Sequence, residues 1–140
     1  MPKQTEYLHV HPEAVLPTIA LLAPFRAIVI ADTAVSQQWQ NLVSDWLVGS
    51  GCLTMLAWGV NCSSWDDALD WANIAQFTPH DIPEAQFVMT TWHDEETLEE
   101  VFWFAKQHGN HPIVQLERTL LLHIGPTNQA QAMLRDFHDA

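Results

Sequence analysis

The sequence predicts an α/β protein: a three-layer sandwich with a mostly parallel four-stranded sheet and helices on both faces. Three observations predict it. Four apolar runs of strand length recur along the chain: Phe25–Ile30, Cys52–Trp58, Phe87–Trp92 and Thr119–Ile124. Each is followed by a stretch whose apolar residues return every 3.6 residues or so, about one helical turn. Within the runs, Ala27–Ile30 and Leu120–Leu122 show no polar alternation, as expected of strands covered on both faces. Strands alternating with helices imply right-handed βαβ crossovers. Numbering the runs along the chain, the expected strand order is 2-1-3-4.

Residues 1–24 read as an extended leader. Pro12, Pro17 and Pro24 oppose regular structure, although Tyr7-Leu8-His9-Val10 has the composition of a short strand. After the first run and Ala31-Asp32-Thr33, the residues Val35, Trp39, Leu42, Val43, Trp46 and Leu47 share a helical face. Ser36 is placed to cap that helix, and Gly49 or Gly51 to end it. The second run closes at Gly59. Ser64-Trp65-Asp66-Asp67 then has capping-box spacing, with Asp in place of Glu or Gln, and Trp65, Ala68, Leu69 and Ala72 form a buried stripe. Pro79 and Pro83 bracket a loop. Past the third run and His93–Glu96, the residues Leu98, Val101, Phe102 and Ala105 mark another helix. Its acids crowd the first turn while Lys106 and His108 occupy the last, complementing the helix dipole. Gly125-Pro126 ends the fourth run, and Ala130, Met133, Leu134 and Phe137 fall on the inner face of a final helix. The chain thus reads as one domain: leader 1–24, core 25–125, C-terminal helix 126–140.

Charge and cysteine content bound the function. Five Lys and Arg against seventeen Asp and Glu give a net charge of −12. Phosphate neutralisation needs basic residues, so nucleic acid is not expected as a partner; a basic protein is. No apolar run reaches the ~20 residues of a membrane helix, and Met1–Glu6 lacks the layout of a secretory signal. Two cysteines, Cys52 and Cys62, do not make a disulfide framework and fit a cytosolic setting. Acid and aromatic content concentrate between Trp58 and Trp103. That window holds five of the seven tryptophans and ten carboxylates, without one Lys or Arg.

Several stretches carry a family likeness: Pro24-Phe25-Arg26-Ala27, Ser44-Asp45-Trp46-Leu47-Val48, Trp65-Asp66-Asp67 with Asp70-Trp71-Ala72-Asn73, and Phe87–Lys106. Together they resemble a family of small bacterial proteins catalogued as a domain of unknown function. The likeness spans Pro24 to Gly125, with Thr90-Thr91-Trp92-His93 its most distinctive part. It implies a bacterial source and a single domain, and it carries over no activity or catalytic residue.

In an open parallel sheet, ligands bind beyond the carboxyl ends of the strands. Asp32, Thr33, the Gly59–Ser64 turn, Trp92–Asp94, His123 and Gly125 are expected there. Cys62, before a helix start, is a catalytic candidate with His93 as its base, set against a simpler reading as a small loop residue. The expected order separates those two tips by the first strand. Asp32, His93, Asp94 and His123 are also candidate metal ligands, on the expectation that the third strand tip neighbours the first and fourth. The simpler reading makes Asp94 a helix cap and packs His93 against Trp92, so neither a metal nor a cofactor is expected. Among the tryptophans, Trp39, Trp46 and Trp65 fall on buried stripes. Trp71 and Trp103 fall off them, beside the outward acids Asp70, Glu99 and Glu100, and are candidate binding anchors; a homodimer contact would use the same rings. The reading leans away from an enzyme, towards a small acidic cytosolic binding or regulatory module that docks a basic partner as an immunity or inhibitor protein does. The alternative is a small enzyme or ligand-binding domain, metal-dependent or not, using the strand tips.

Overall fold

A computed structural model describes residues 3–77 and 81–140. Five parallel strands, β1 (Gln4–Val10), β2 (Phe25–Ala31), β3 (Cys52–Gly59), β4 (Met89–His93) and β5 (Arg118–Ile124), form one sheet in the order β1-β5-β2-β3-β4. Four helices connect or follow them: α1 (Gln37–Gly49), α2 (Cys62–Ala75), α3 (Leu98–His108) and α4 (Ala130–Asp139). The α/β class and the parallel sheet agree with the sequence. The strand count and order do not. The leader supplies a seven-residue edge strand, and the last run inserts between it and β2 rather than beside β4.

Burial explains the insertion. Six of the seven residues of β5 are buried, with Leu120, Leu122 and Ile124 packed into one core cluster and Leu121 into the other. A strand apolar on both faces belongs in the centre, whereas β1, half-exposed along its length, suits an edge. The same alternation sorts the helices. Ala27, Val29 and Ala31 of β2 pack with Trp39, Val43 and Leu47 of α1 and Trp65 and Leu69 of α2. Ile28 and Ile30 pack with Val101 and Phe102 of α3 and Met133 and Phe137 of α4. The chain therefore steps from β2 to β4 with its helices over one face. It returns to β5 through α3 over the other, the hand that right-handed crossovers require.

Local signals set the element ends. Ser36 caps α1, its side chain accepting from the Trp39 N–H at 3.1 Å. The indoles of α1 also fasten the leader, Trp39 Nε1 donating to the Ala14 carbonyl at 2.9 Å and Trp46 Nε1 to that of Pro17 at 2.8 Å. Helix α2 starts at Cys62, with Asn61 at the cap position three residues before the expected cap, Ser64. Gly59 (φ 102°) and Asn61 (φ 57°) reverse the chain in the left-handed region, and any β-carbon at 59 would collide with the Ala31 carbonyl. Asp66 and Asp67 thus lie in the second turn, where capping does not account for them. Helix α3 begins with a capping box of Thr97 and Glu100, so Asp94 is not its cap. Pro83 precedes a one-turn 3-10 helix, Glu84–Gln86, while Pro79 lies outside the described residues. Among the described residues, no helix is long and apolar enough to cross a membrane.

Candidate functional site

Helices α1 and α4, which follow β2 and β5, leave these neighbouring strands towards opposite faces of the sheet. The crevice between such strands is the usual ligand position in open parallel sheets. Asp32 and His123 meet there. His123 Nε2 lies 2.5 Å from Asp32 Oδ2, and its Nδ1 lies 2.6 Å from the hydroxyl of Tyr7 on β1. The partners set the tautomer. Asp32 only accepts, so Nε2 carries the proton, and Nδ1 accepts from the Tyr7 hydroxyl, whose oxygen accepts from the Gln129 N–H at 2.9 Å. His123 is fully buried, whereas the Asp32 side chain is 37% exposed and forms the open end of this chain of hydrogen bonds. Burial pushes the Tyr7 phenol above its ordinary value. The hydrogen bond from Gln129 opposes that shift and the Asp32 charge adds to it. His9 lines the same edge, its Nε2 2.7 Å from the Gly125 carbonyl oxygen and its ring 5.7 Å from that of His123. The sequence places Asp32 and His123 at this edge; Tyr7 and His9, read there only as part of a stretch with the composition of a short strand, enter with β1.

His93 does not join them. With β4 at the far edge, its tip stands three strand spacings from β5, roughly 14 Å at about 4.8 Å per step. This corrects the expected adjacency of the third run to the first and fourth, so His93 and Asp94 cannot share an ion with Asp32 and His123. The His93 ring is buried against Phe104, at 4.9 Å between centroids, rather than against Trp92. Its nitrogens are taken by Glu96 Oε2 at 2.6 Å and Thr91 Oγ1 at 2.9 Å. Asp94 is exposed in the turn beyond.

Cys62 is the first residue of α2 rather than a loop residue. It is 97% buried in the cluster beneath α1 and α2, the opposite face from His93. Although β3 and β4 are neighbours, contrary to the expected order, the sheet itself separates thiol and imidazole. Cys52 is also buried, which pushes its thiol up to about 12. Neither cysteine has the exposure that a nucleophile needs.

The tryptophan anchors part company too. Trp71 of α2 is 70% exposed and Trp103 of α3 50%, on helices that cover opposite faces of the sheet. Glu99 is exposed beside Trp103, but Glu100 is engaged in the capping box. Trp71, by contrast, borders a groove of about 520 Å³ between α1 and α2. Gln37, Asn41 and Asp45, spaced by four residues on α1, face Ser64, Asp67 and Trp71 on α2. The floor is deep because it is made of alanines, Ala68, Ala72 and Ala75.

Beside the groove, Asp66, Asp67 and Asp70 each bring a carboxylate oxygen within 4.8 Å of the others. Asp66 is buried, and its Oδ2 has no hydrogen-bond partner among the described residues. Its pKa rises from 3.8 to about 6, first through burial and then through the charge of Asp70, which itself accepts from Thr90 Oγ1 at 2.8 Å. Three clustered oxygens with no cation nearby suit an ammonium, a guanidinium or a hard divalent ion. The run Asp66-Asp67-x-x-Asp70, at i and i+4 on one helix face, was the available signal; assigning its first two acids to a cap concealed it.

No curated protein and no solved structure matches the chain. A family model described as "Domain of unknown function (DUF7684)" matches residues 5–140, nearly the whole length, and the chain belongs to that family.

Proposed function

We propose that the protein is a binding or regulatory module of the bacterial cytosol that docks a basic protein partner, in the manner of an inhibitor or immunity protein, through the α1–α2 groove. One observation carries this reading: an indole exposed over most of its surface beside a groove with acids at its rim and no Lys or Arg in its lining. A lysine or arginine stem can lie on the Trp71 ring while its head reaches Asp67 and Asp45, which joins cation–π attraction to charge-assisted hydrogen bonds. A second copy of the chain fits poorly, since it would set a net charge of −12 against another.

Fluorescence anisotropy with a labelled Lys- and Arg-rich peptide tests the proposal. Trp71→Ala and Asp67→Lys should each weaken binding by about tenfold or more, as for loss of a central anchor. Trp103→Ala should leave it unchanged, and added salt should weaken it. Equal losses in the Trp71 and Trp103 variants, or indifference to Asp67→Lys, would reject the groove.

The Asp32–His123–Tyr7 chain favours a second reading, a small enzyme or ligand-binding domain acting at the strand tips. In that reading Asp32 presents the exposed carboxylate, and His123 with Tyr7 fixes its orientation and hydrogen bonding.

A further inference from the structure

The chain has five Lys and Arg, and three of them, Lys3, Arg26 and Lys106, line one cavity of about 520 Å³. It opens at the amino end of the sheet, opposite the Asp32–His123 edge, between the last turns of α3 and α4. Strand register builds its wall. Thr5 of β1 pairs with Thr119 of β5, which pairs with Arg26 of β2, which pairs with Thr54 of β3. These four make one polar rank at the amino end of the face that α3 and α4 cover, the next rank being Tyr7, Leu121, Ile28 and Leu56. Leu134 and Phe137 of α4 supply an apolar side to the cavity.

Arg26 is the centre of this rank. It is 97% buried, yet among the described residues its guanidinium has no carboxylate partner. Its bonds run to neutral acceptors, Nε to the Gly109 carbonyl at 2.6 Å and Nη1 to Thr119 Oγ1 at 2.8 Å. Gly109 is required for this close approach, because a β-carbon there would stand 2.7 Å from Arg26 Nε. Burial lowers the Arg26 pKa, and the charge of Glu117, beyond contact distance, opposes that shift only in part. Thr54, next in the rank, is also buried, with an Oγ1 that lacks a partner among the described residues.

Among the described residues, Lys106 likewise meets no side-chain acid. Its Nζ donates to the main-chain oxygens of His138 at 2.9 Å and Ala140 at 3.0 Å, and sits 5.0 Å from the centre of the Phe137 ring. Two helix ends therefore face three cations. Each helix carboxyl end carries about half a negative charge, which offsets the buried Arg26 guanidinium only in part. A buried charge normally has a counter-ion. In a chain so acidic overall, leaving this one place positive is a specific arrangement.

We propose that this cavity binds a small organic anion, a phosphate or carboxylate group carried on a compact apolar body, with Arg26, Lys106 and Lys3 holding the anion and Leu134 with Phe137 covering the apolar part. The volume falls within the range of small-molecule sites, roughly 300–1,000 Å³. This site is separate from the α1–α2 groove and stands or falls without it.

Inorganic phosphate, phenyl phosphate and benzoate are the probes, each titrated against the full chain at constant ionic strength, with melting temperature and amide chemical shifts as readouts. The expected result is a saturable rise in melting temperature with at least one probe, with shifts centred on Thr5, Thr119 and Phe137. Phenyl phosphate exceeding benzoate would assign a phosphate ligand, and the reverse a carboxylate. Lys106→Met and Lys3→Met should each weaken binding by about tenfold. Arg135→Met, beside Asp136 and outside the cavity lining, should not. No saturable response to any of the three probes, or Lys106→Met and Lys3→Met binding as tightly as the native chain, overturns the proposal.

Discussion

The Asp66→Asn variant should melt above the native chain in mildly alkaline buffer. The carboxyl of Asp66 has its pKa raised from 3.8 to about 6 in the folded protein. A raised folded-state value means that the native state holds the proton more tightly than the unfolded chain. The resulting stabilisation is complete below 3.8 and is lost as pH rises through about 6. Above that window the native chain carries a buried ionised carboxylate, next to Asp70 and with one oxygen unpartnered. Asparagine removes the charge and keeps the shape. A tenfold change in proton affinity is worth about 1.4 kcal/mol. Solvent around the neighbouring acids screens part of the effect, which leaves a gain of about 2 kcal/mol, or roughly 6–8 °C for a chain of this length. The difference should vanish in acid, where the native carboxyl is itself protonated. Melting curves across that window decide the matter, and coincident melting temperatures in alkaline buffer would remove the argument.

Asp66 also marks the point where local sequence patterns run out. Four of the five strands, and the phase of α1 and α3, were legible because apolar runs and helical periodicity report burial directly. Strand order was not, because it depends on β1. The sequence Gln4–Val10 is half polar and carries little apolar signal, yet its presence at one edge puts β5 between β1 and β2. With β5 in the wrong place, Asp32 and His123 could be assigned to the right edge of the sheet but not separated from His93. Helix starts were the second loss. The turn through Gly59 and Asn61 brings the start of α2 forward to Cys62, and Ser64 only mimics a cap. That slip of three residues turned a buried carboxylate into a routine helix-start acid. Arg26 did leave a trace, as the one charged residue within the Phe25–Ala31 run. Its partners on β5 and at the end of α3 lie 93 and 83 residues away, beyond any local pattern.

Replacing His123 should have the largest effect on stability. The ring is fully buried and ties three strands together, β5 to Asp32 beyond β2 and to Tyr7 on β1. His123→Ala leaves a cavity and strips Tyr7 of its acceptor, which together should cost about 3–5 kcal/mol in urea unfolding. Tyr7→Phe removes both hydrogen bonds of the hydroxyl, to His123 and from Gln129, and should cost about 1–3 kcal/mol. Because the two residues share a bond, the double variant should lose less than the two single losses combined. Tyr7 is the only tyrosine in the sequence, so phenolate absorbance reports this site alone. In the native chain it should titrate above its ordinary 10.0, since burial and the Asp32 charge both disfavour the phenolate. The stabilisation that comes with that raised value is present below 10.0 and is lost as pH rises past it. Asp32→Asn should lower the titration midpoint by removing the charge, and His123→Ala by letting water reach the phenol. A midpoint unmoved by both substitutions would mean that the three side chains are not coupled, and the strand-tip reading would lose its physical basis.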